Sequence, residues 1–418
     1  MALRLKFLIL CGFTLTAYLA AISREQSLPW LLAALLSAAL LTGMFWPHWL
    51  LQRLSVRRVG PQRALEGETI VFRVDLQNRG WLPRFMVELV DRLPFVGAAE
   101  QGANDGDKLL GSVAYVPGRG ARSFDVPLQC EKRGFYKLGP MGLASSFPLG
   151  LAEARSRADR SLQTLTIYPK VFPILSLPLF GAPSQIHRGG YCLPEGAGAA
   201  EFSGLREYRR GDNPRHIHWP TTARLNELMV KEFEPLASAC ICIALDLGRD
   251  ANIGQGKHST VEYAIRIAAS VAGYACSQNM HSRLLADAKR PLHILSGKGD
   301  FHYQTILDAL AVVDADGNTP YATLLTEIAL NCVRGETVLL LLAEPPHRNA
   351  ATLQALALLR AKGVYLFAVI FERASFFASA NGGKTRMDDQ KLAAGLTELG
   401  AHCLTVRRGD DLTVLFNQ

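Results

Sequence analysis

No two of the eight cysteines stand in C-x-x-C spacing, which leaves zinc-ribbon and thioredoxin-like sites without support. No G-x-x-x-x-G-K-[ST] run occurs either, so a Walker-type phosphate loop is absent. Charged residues are only 20% against 49% hydrophobic, which excludes a disordered chain. Gly 36 and Pro 21 are ordinary for 418 residues, so collagen-like and low-complexity classes are out. The basic excess is modest, +8, and suits nucleic acid, an anionic membrane or nothing special. The length exceeds what one core usually holds, so two or three domains are expected.

The chain opens on long apolar runs. Phe7 to Ile22 and Leu28 to Leu51 are both uncharged, separated by the polar break Ser23 to Ser27. A bilayer core needs roughly 20 apolar helical residues, with a lower limit of about 17. Trp30, Trp46 and Trp49 lie near the ends of the second run, where indoles prefer the interface, and Pro47 lies near its exit. A cleaved signal peptide would be followed by a polar start rather than a second apolar run. The pattern therefore predicts a transmembrane hairpin over residues 1–55. Arg4 and Lys6 precede the first apolar run, and Arg53, Arg57, Arg58 and Arg63 follow the second. The positive-inside rule then places both termini and all soluble domains in the cytoplasm.

Residues 56–170 alternate with period two, as in Thr69 to Gln77, where Ile70, Phe72, Val74 and Leu76 share a face. Phe85 to Val90, Ala121 to Cys130 and Gln163 to Tyr168 read alike, with turn residues between. An antiparallel, sandwich-like β domain is expected. Residues 236–418 instead alternate strand and helix. Ala239 to Leu245, Thr337 to Ala343 and Val364 to Phe371 are continuous apolar runs, which predict a doubly wound parallel sheet. Cys240 and Cys242 would share one strand face as buried free thiols.

Between them, residues 171–235 form a linker and a dense mixed-charge segment. Glu201 to Arg209 reads as a short helix or irregular loop, Gly211 to Pro214 as a turn, and His216 to Trp219 as a short strand. Asn226 to Phe233 is helix or strand. Mixed signs favour internal Arg–carboxylate pairs over a nucleic-acid face. His216 and His218 share a face if extended, but no third ligand is spaced nearby.

This segment resembles the defining motif of the bacterial domain-of-unknown-function family 58. The resemblance rests on Glu201, Phe202, Leu205, Arg206, Tyr208, Gly211, Asp212, Arg215, Ile217, Trp219, Ala223 and Arg224. His218 and Pro220 depart from the family pattern, and Lys132 to Leu151 resembles a second family stretch. Asp246 to Asp250, after the first apolar strand, resembles the D-x-S-x-S metal loop of von Willebrand factor A domains. Gly248 and Asp250 replace its two serines; Thr319 matches a later Thr ligand and Glu344 stands near a later Asp. With both hydroxyls lost, the fold is expected without its usual Mg²⁺. The resemblance implies a non-catalytic adaptor in the inner membrane, partnered by a MoxR-type AAA+ ATPase and von Willebrand factor A proteins. The alternatives are a metal-dependent ligand receptor and an unrecognised hydrolase. No Ser-His-Asp or Cys-His motif announces itself. A structural clasp between the two domains, a partly buried joint built on Arg206, Asp212 and Trp219, is the expected role of the motif.

Overall fold

The computed structural model describes residues 2–24, 27–97, 107–157, 162–177, 200–208, 217–225, 227–235, 240–333, 335–377 and 382–417. They form two compact units, one over Met1–Lys170 with Gln255–Lys257 and the other over Val171–Gly254 and His258–Gln418.

The first unit begins with α1 (Ala2–Arg24) and α2 (Ser27–Leu51). Both are long and apolar enough to cross a membrane. They pair as a hairpin through Tyr18, edge-on to Trp30 and 2.9 Å from the Ser37 hydroxyl. Pro47 does not end α2, which runs on to Leu51.

Ten strands follow: β1 (Leu54–Val59), β2 (Arg63–Leu65), β3 (Thr69–Asn78), β4 (Arg84–Arg92), β5 (Asp107–Val116), β6 (Ala121–Gln129), β7 (Gly134–Leu138), β8 (Gly142–Ser145), β9 (Ala154–Arg157) and β10 (Gln163–Tyr168). They make three sheets, ordered β1-β3-β6, β2-β10-β7 and β5-β4-β8-β9. Pairing is antiparallel except for β2 on β10, a parallel contact that the expected antiparallel arrangement lacks. The predicted face of β3 is the buried one, because alternation lets Ile70, Phe72, Val74 and Leu76 leave water together. The same core takes Val87 and Leu89 from β4, Leu143 from β8, Leu165 and Ile167 from β10, and Leu50 and Leu51 from α2. A buried ion pair, Arg58 to Asp91, lies across it, with the guanidinium 5.5 Å over the Phe72 ring.

In the second unit, β11 (Ala200–Glu207) and β12 (Met229–Pro235) form an antiparallel ribbon. The helix or loop expected over 201–209 is therefore a strand as far as Glu207. Ladder hydrogen bonds to β12 are available there and outweigh weak local preference. α3 (Trp219–Leu225) lies between the two strands. Of the short strand expected at 216–219, His216 lies outside the described residues, Ile217 makes a single bridge to Val230, and Trp219 already begins α3.

The main sheet contains β13 (Cys240–Leu245), β14 (His281–Asp287), β15 (Pro291–Gly297), β16 (Thr337–Leu342), β17 (Tyr365–Phe371) and β18 (His402–Val406). Its order is β15-β14-β13-β16-β17-β18. The helices are α4 (Thr260–Ser277), α5 (Asp300–Val312), α6 (Tyr321–Asn331), α7 (Asn349–Ala361) and α8 (Gly382–Glu398). Ser259 caps α4 by accepting from the Glu262 amide. α6, α7 and α8 pack with alternate residues of β13, β16 and β17, including Ala244, Leu340 and Ala368. α4 covers β13 and β14. Every residue of β16 is buried, as expected of a strand covered on both faces. The sheet is mixed rather than wholly parallel. Only three residues separate β14 from β15, too few for a crossover, so β15 hairpins back antiparallel at the edge.

Candidate functional site

Strand order reverses between β13 and β16, because the chain leaves β13 for β14 and β15 and then returns to the other side. In open α/β sheets the crevice beyond the carboxyl ends at such a reversal is where ligands bind. Two buried carboxylates stand there: Asp246, just after β13, and Glu344, two residues after β16.

The Asp246 Oδ1 accepts from the Gly248 amide at 2.9 Å, while its Oδ2 is buried with no hydrogen-bond partner among the described residues. Burial, the main cause, raises its pKa to about 7; Glu344 adds to the rise, and the Gly248 amide, Arg348 and Arg373 oppose it. Glu344 is fully engaged. Its Oε1 accepts from the Tyr321 amide at 3.0 Å and its Oε2 from the Thr352 hydroxyl. The Tyr321 hydroxyl donates to the Ala244 carbonyl at 2.8 Å, and burial pushes its pKa up.

Arg373, two residues past β17, is also buried. It donates to the Ala343 and Asp250 carbonyls, and its amide donates to Asp389 at 3.0 Å. Burial lowers its pKa, against the pull of Asp389, Asp246, Asp250 and Glu344. The Asp250 side chain points to Arg348, 2.9 Å away, and is 59% exposed. Gly248 bridges to Gly317, whose amide donates to the Leu247 carbonyl at 3.0 Å. This contact brings the Thr319 loop beside the Asp246 loop.

Sequence reading thus placed Asp246, Asp250, Thr319 and Glu344 at one end of one sheet. It missed Arg373, Arg348, Tyr321 and Thr352. Their signal was available for Arg373 alone: a charged residue directly after an apolar strand must lie at the sheet's carboxyl edge. Among the described residues no three His, Cys, Asp or Glu side chains group as metal ligands.

The motif residues lie elsewhere. Glu201, Phe202, Leu205 and Arg206 are on β11 and Tyr208 follows it, its amide bonded to the Leu228 carbonyl at 2.8 Å. Gly211, Asp212, Arg215 and His216 fall outside the described residues. Arg224 is exposed in the last turn of α3. Trp219 is 65% exposed. His218 caps α3: its Nδ1 lies 2.8 Å from the Thr221 hydroxyl and accepts from the Thr221 amide at 3.4 Å.

Residues 204–353 match the family model described as "Protein of unknown function DUF58". The chain is 26% identical over 116 residues to the uncharacterized protein YeaD of Bacillus subtilis (strain 168), a match covering 28% of this chain. It spans 27% of that relative's length, about a quarter. Among solved structures, the CARDB domain of PF1109 from Pyrococcus furiosus is 9% identical, with a TM-score of 0.20, over 28% of this chain and 94% of that one. The pilus adhesin SpaC of Lactobacillus rhamnosus GG is 9% identical, with a TM-score of 0.29, over 43% and 28%. Those scores are too low to support a shared fold. The segment that matches the DUF58 family model contains the Asp246 loop, the Gly317 loop and Glu344, which stand at the carboxyl edge.

Proposed function

We propose that this chain is a membrane-anchored, non-catalytic interaction protein that works with a MoxR-type AAA+ ATPase in protein maturation or envelope function, with von Willebrand factor A proteins as further partners. It sits in the inner membrane as a two-pass protein with both termini cytoplasmic. The observation that carries this reading is the build of the carboxyl edge. Glu344 has both oxygens bonded, to the Tyr321 amide and the Thr352 hydroxyl, while Asp250 and Arg348 stand outward as a partly exposed ion pair. That is a surface suited to a polar protein partner rather than a reactive pocket. The strand order, with one antiparallel edge strand, supports a von Willebrand factor A-like reading of the second unit.

The metal-dependent receptor reading draws on Asp246 Oδ2, a buried oxygen without a partner. Against it, Glu344 has both oxygens engaged, Asp250 is paired with Arg348, and position 248 has no side chain. Octahedral Mg²⁺ demands several free oxygens in fixed geometry. These engaged oxygens support the reading without a resident metal.

The test is capture of a nucleotide-trapped MoxR-type ATPase by the detergent-solubilised full chain. Wild-type protein should retain it, and Asp250→Arg, which places like charges opposite Arg348, should lose it at unchanged melting temperature. Equal retention by both would remove the carboxyl edge from the interface.

A further inference from the structure

α2 does not end in a linker. Only two residues separate Leu51 from β1, and Gly43, Pro47, Leu50 and Leu51 form one buried stripe against the strand domain. Arg84, at the start of β4, is buried over the Trp49 ring at 4.3 Å and donates to the Gln52 carbonyl at 3.2 Å. The helix end and the sheet are therefore clamped together. The loop from β8 to β9 reaches further up the helix: a Cβ on Gly43 would lie 2.6 Å from the Leu151 side chain.

The same end of the strand domain carries two more hairpin tips. The β3–β4 tip is tied to the helix exit by the Arg79 amide, which donates to the Arg53 carbonyl at 2.9 Å. The β5–β6 tip is tied to that one by the Arg119 amide on the Gly80 carbonyl at 2.7 Å, and by Asn78 reaching the Pro117 carbonyl at 3.2 Å. On these three tips Trp81, Tyr115 and Leu149 are 71%, 44% and 47% exposed. Arg53, Arg79 and Arg119 are exposed beside them. Among the described residues, three of the four non-glycine positions with positive φ are here: Arg53, Met86 and Arg119. Such strain persists where the surroundings over-determine it, as at binding sites.

Depth follows from length. About 20 residues of helix cross the hydrocarbon, so a span entered at Ser27 leaves it near Trp46. Gly43 then lies just inside the boundary, and the Leu149–Leu151 loop that touches it lies at the same depth.

We propose that this rim is a bilayer-docking face: Trp81, Tyr115 and Leu149 enter the headgroup–acyl boundary, and Arg53, Arg79 and Arg119 pair with phosphates of anionic phospholipids. Apolar tips ringed by arginine are the chemistry that such a surface takes. The inference rests on α2 spanning the membrane, and the experiment separates the two.

The full chain is reconstituted in nanodiscs of equimolar phosphatidylglycerol and phosphatidylcholine, with photoreactive p-benzoylphenylalanine in place of one residue at a time. Leu35, exposed in mid-α2, reports the span; Trp81 and Leu149 report the rim; Leu109, equally exposed at the far end of β5, is the control. Phospholipid adducts are expected at 35, 81 and 149 and not at 109. Adducts at 35 without any at 81 or 149 overturn the docking face and leave the span standing. No adduct at 35 overturns the span and the face with it. At position 81, phosphatidylglycerol adducts should exceed phosphatidylcholine adducts. Arg79→Gln with Arg119→Gln should cut that ratio by roughly tenfold or more, since each basic group is worth about fivefold near an anionic surface. An unchanged ratio overturns the headgroup pairing.

Discussion

Asp246 lies in a site where its ionised form has one backbone donor and one oxygen with no partner among the described residues. Its folded pKa, about 7, exceeds the ordinary 3.8, chiefly through burial. Below pH 4 both folded and unfolded forms hold the proton, so nothing is lost. Between pH 4 and 7 only the folded form holds it, and stability falls as pH rises. The loss levels off above about pH 7, at most on the order of 4 kcal/mol for a shift from 3.8 to about 7. Asp246→Asn keeps the acceptor for Gly248 and removes the titration. Melting of the full chain in detergent from pH 4 to 8 should therefore fall less steeply in the variant. Parallel curves would show that Asp246 ionises freely in the fold.

Elements meet at the carboxyl edge through glycine. The Gly248–Gly317 bridge needs bare backbone on one side: a Cβ on Gly317 would lie 2.3 Å from the Asp287 carbonyl oxygen and 3.0 Å from that of Leu247. Backbone cannot yield as a flexible side chain does. Gly317→Val should break the bonds between Gly317 and the backbone of Leu247 and Arg249, at about 1–3 kcal/mol, the usual cost of overpacking. Faster amide hydrogen exchange across 246–250, with a lowered melting temperature, is the expected result. Unaltered exchange would mean that the two loops are held independently. Element types were largely legible beforehand, because β13, β16 and β17 are apolar throughout and α4 is amphipathic. The ribbon partner of β11 was not, because its pairing is with β12, across a segment of unrelated pattern.

For the molecule as a whole, the apolar hairpin and its basic flanks set the expected topology. An enzyme reporter fused after Gln418 should be active in its cytoplasmic form and silent in its periplasmic form. The reverse would remove the ATPase partnership too, since ATP is available inside. The two apolar spans, the strand-rich region and the strand–helix alternation could be read from sequence alone, because each follows from spacing within one element. The carboxylates Asp246, Asp250 and Glu344 were also readable, as residues just past apolar strands. Only the tertiary structure brought Arg348 to Asp250 across 98 residues and Arg373 to the Asp250 carbonyl across 123. It also set the end of α2 into the core of the strand domain, with Gly43 against Leu151 and Trp49 under Arg84. Such meetings depend on which strands neighbour in the sheets, and periodicity records whether a residue is buried but not what it is buried against.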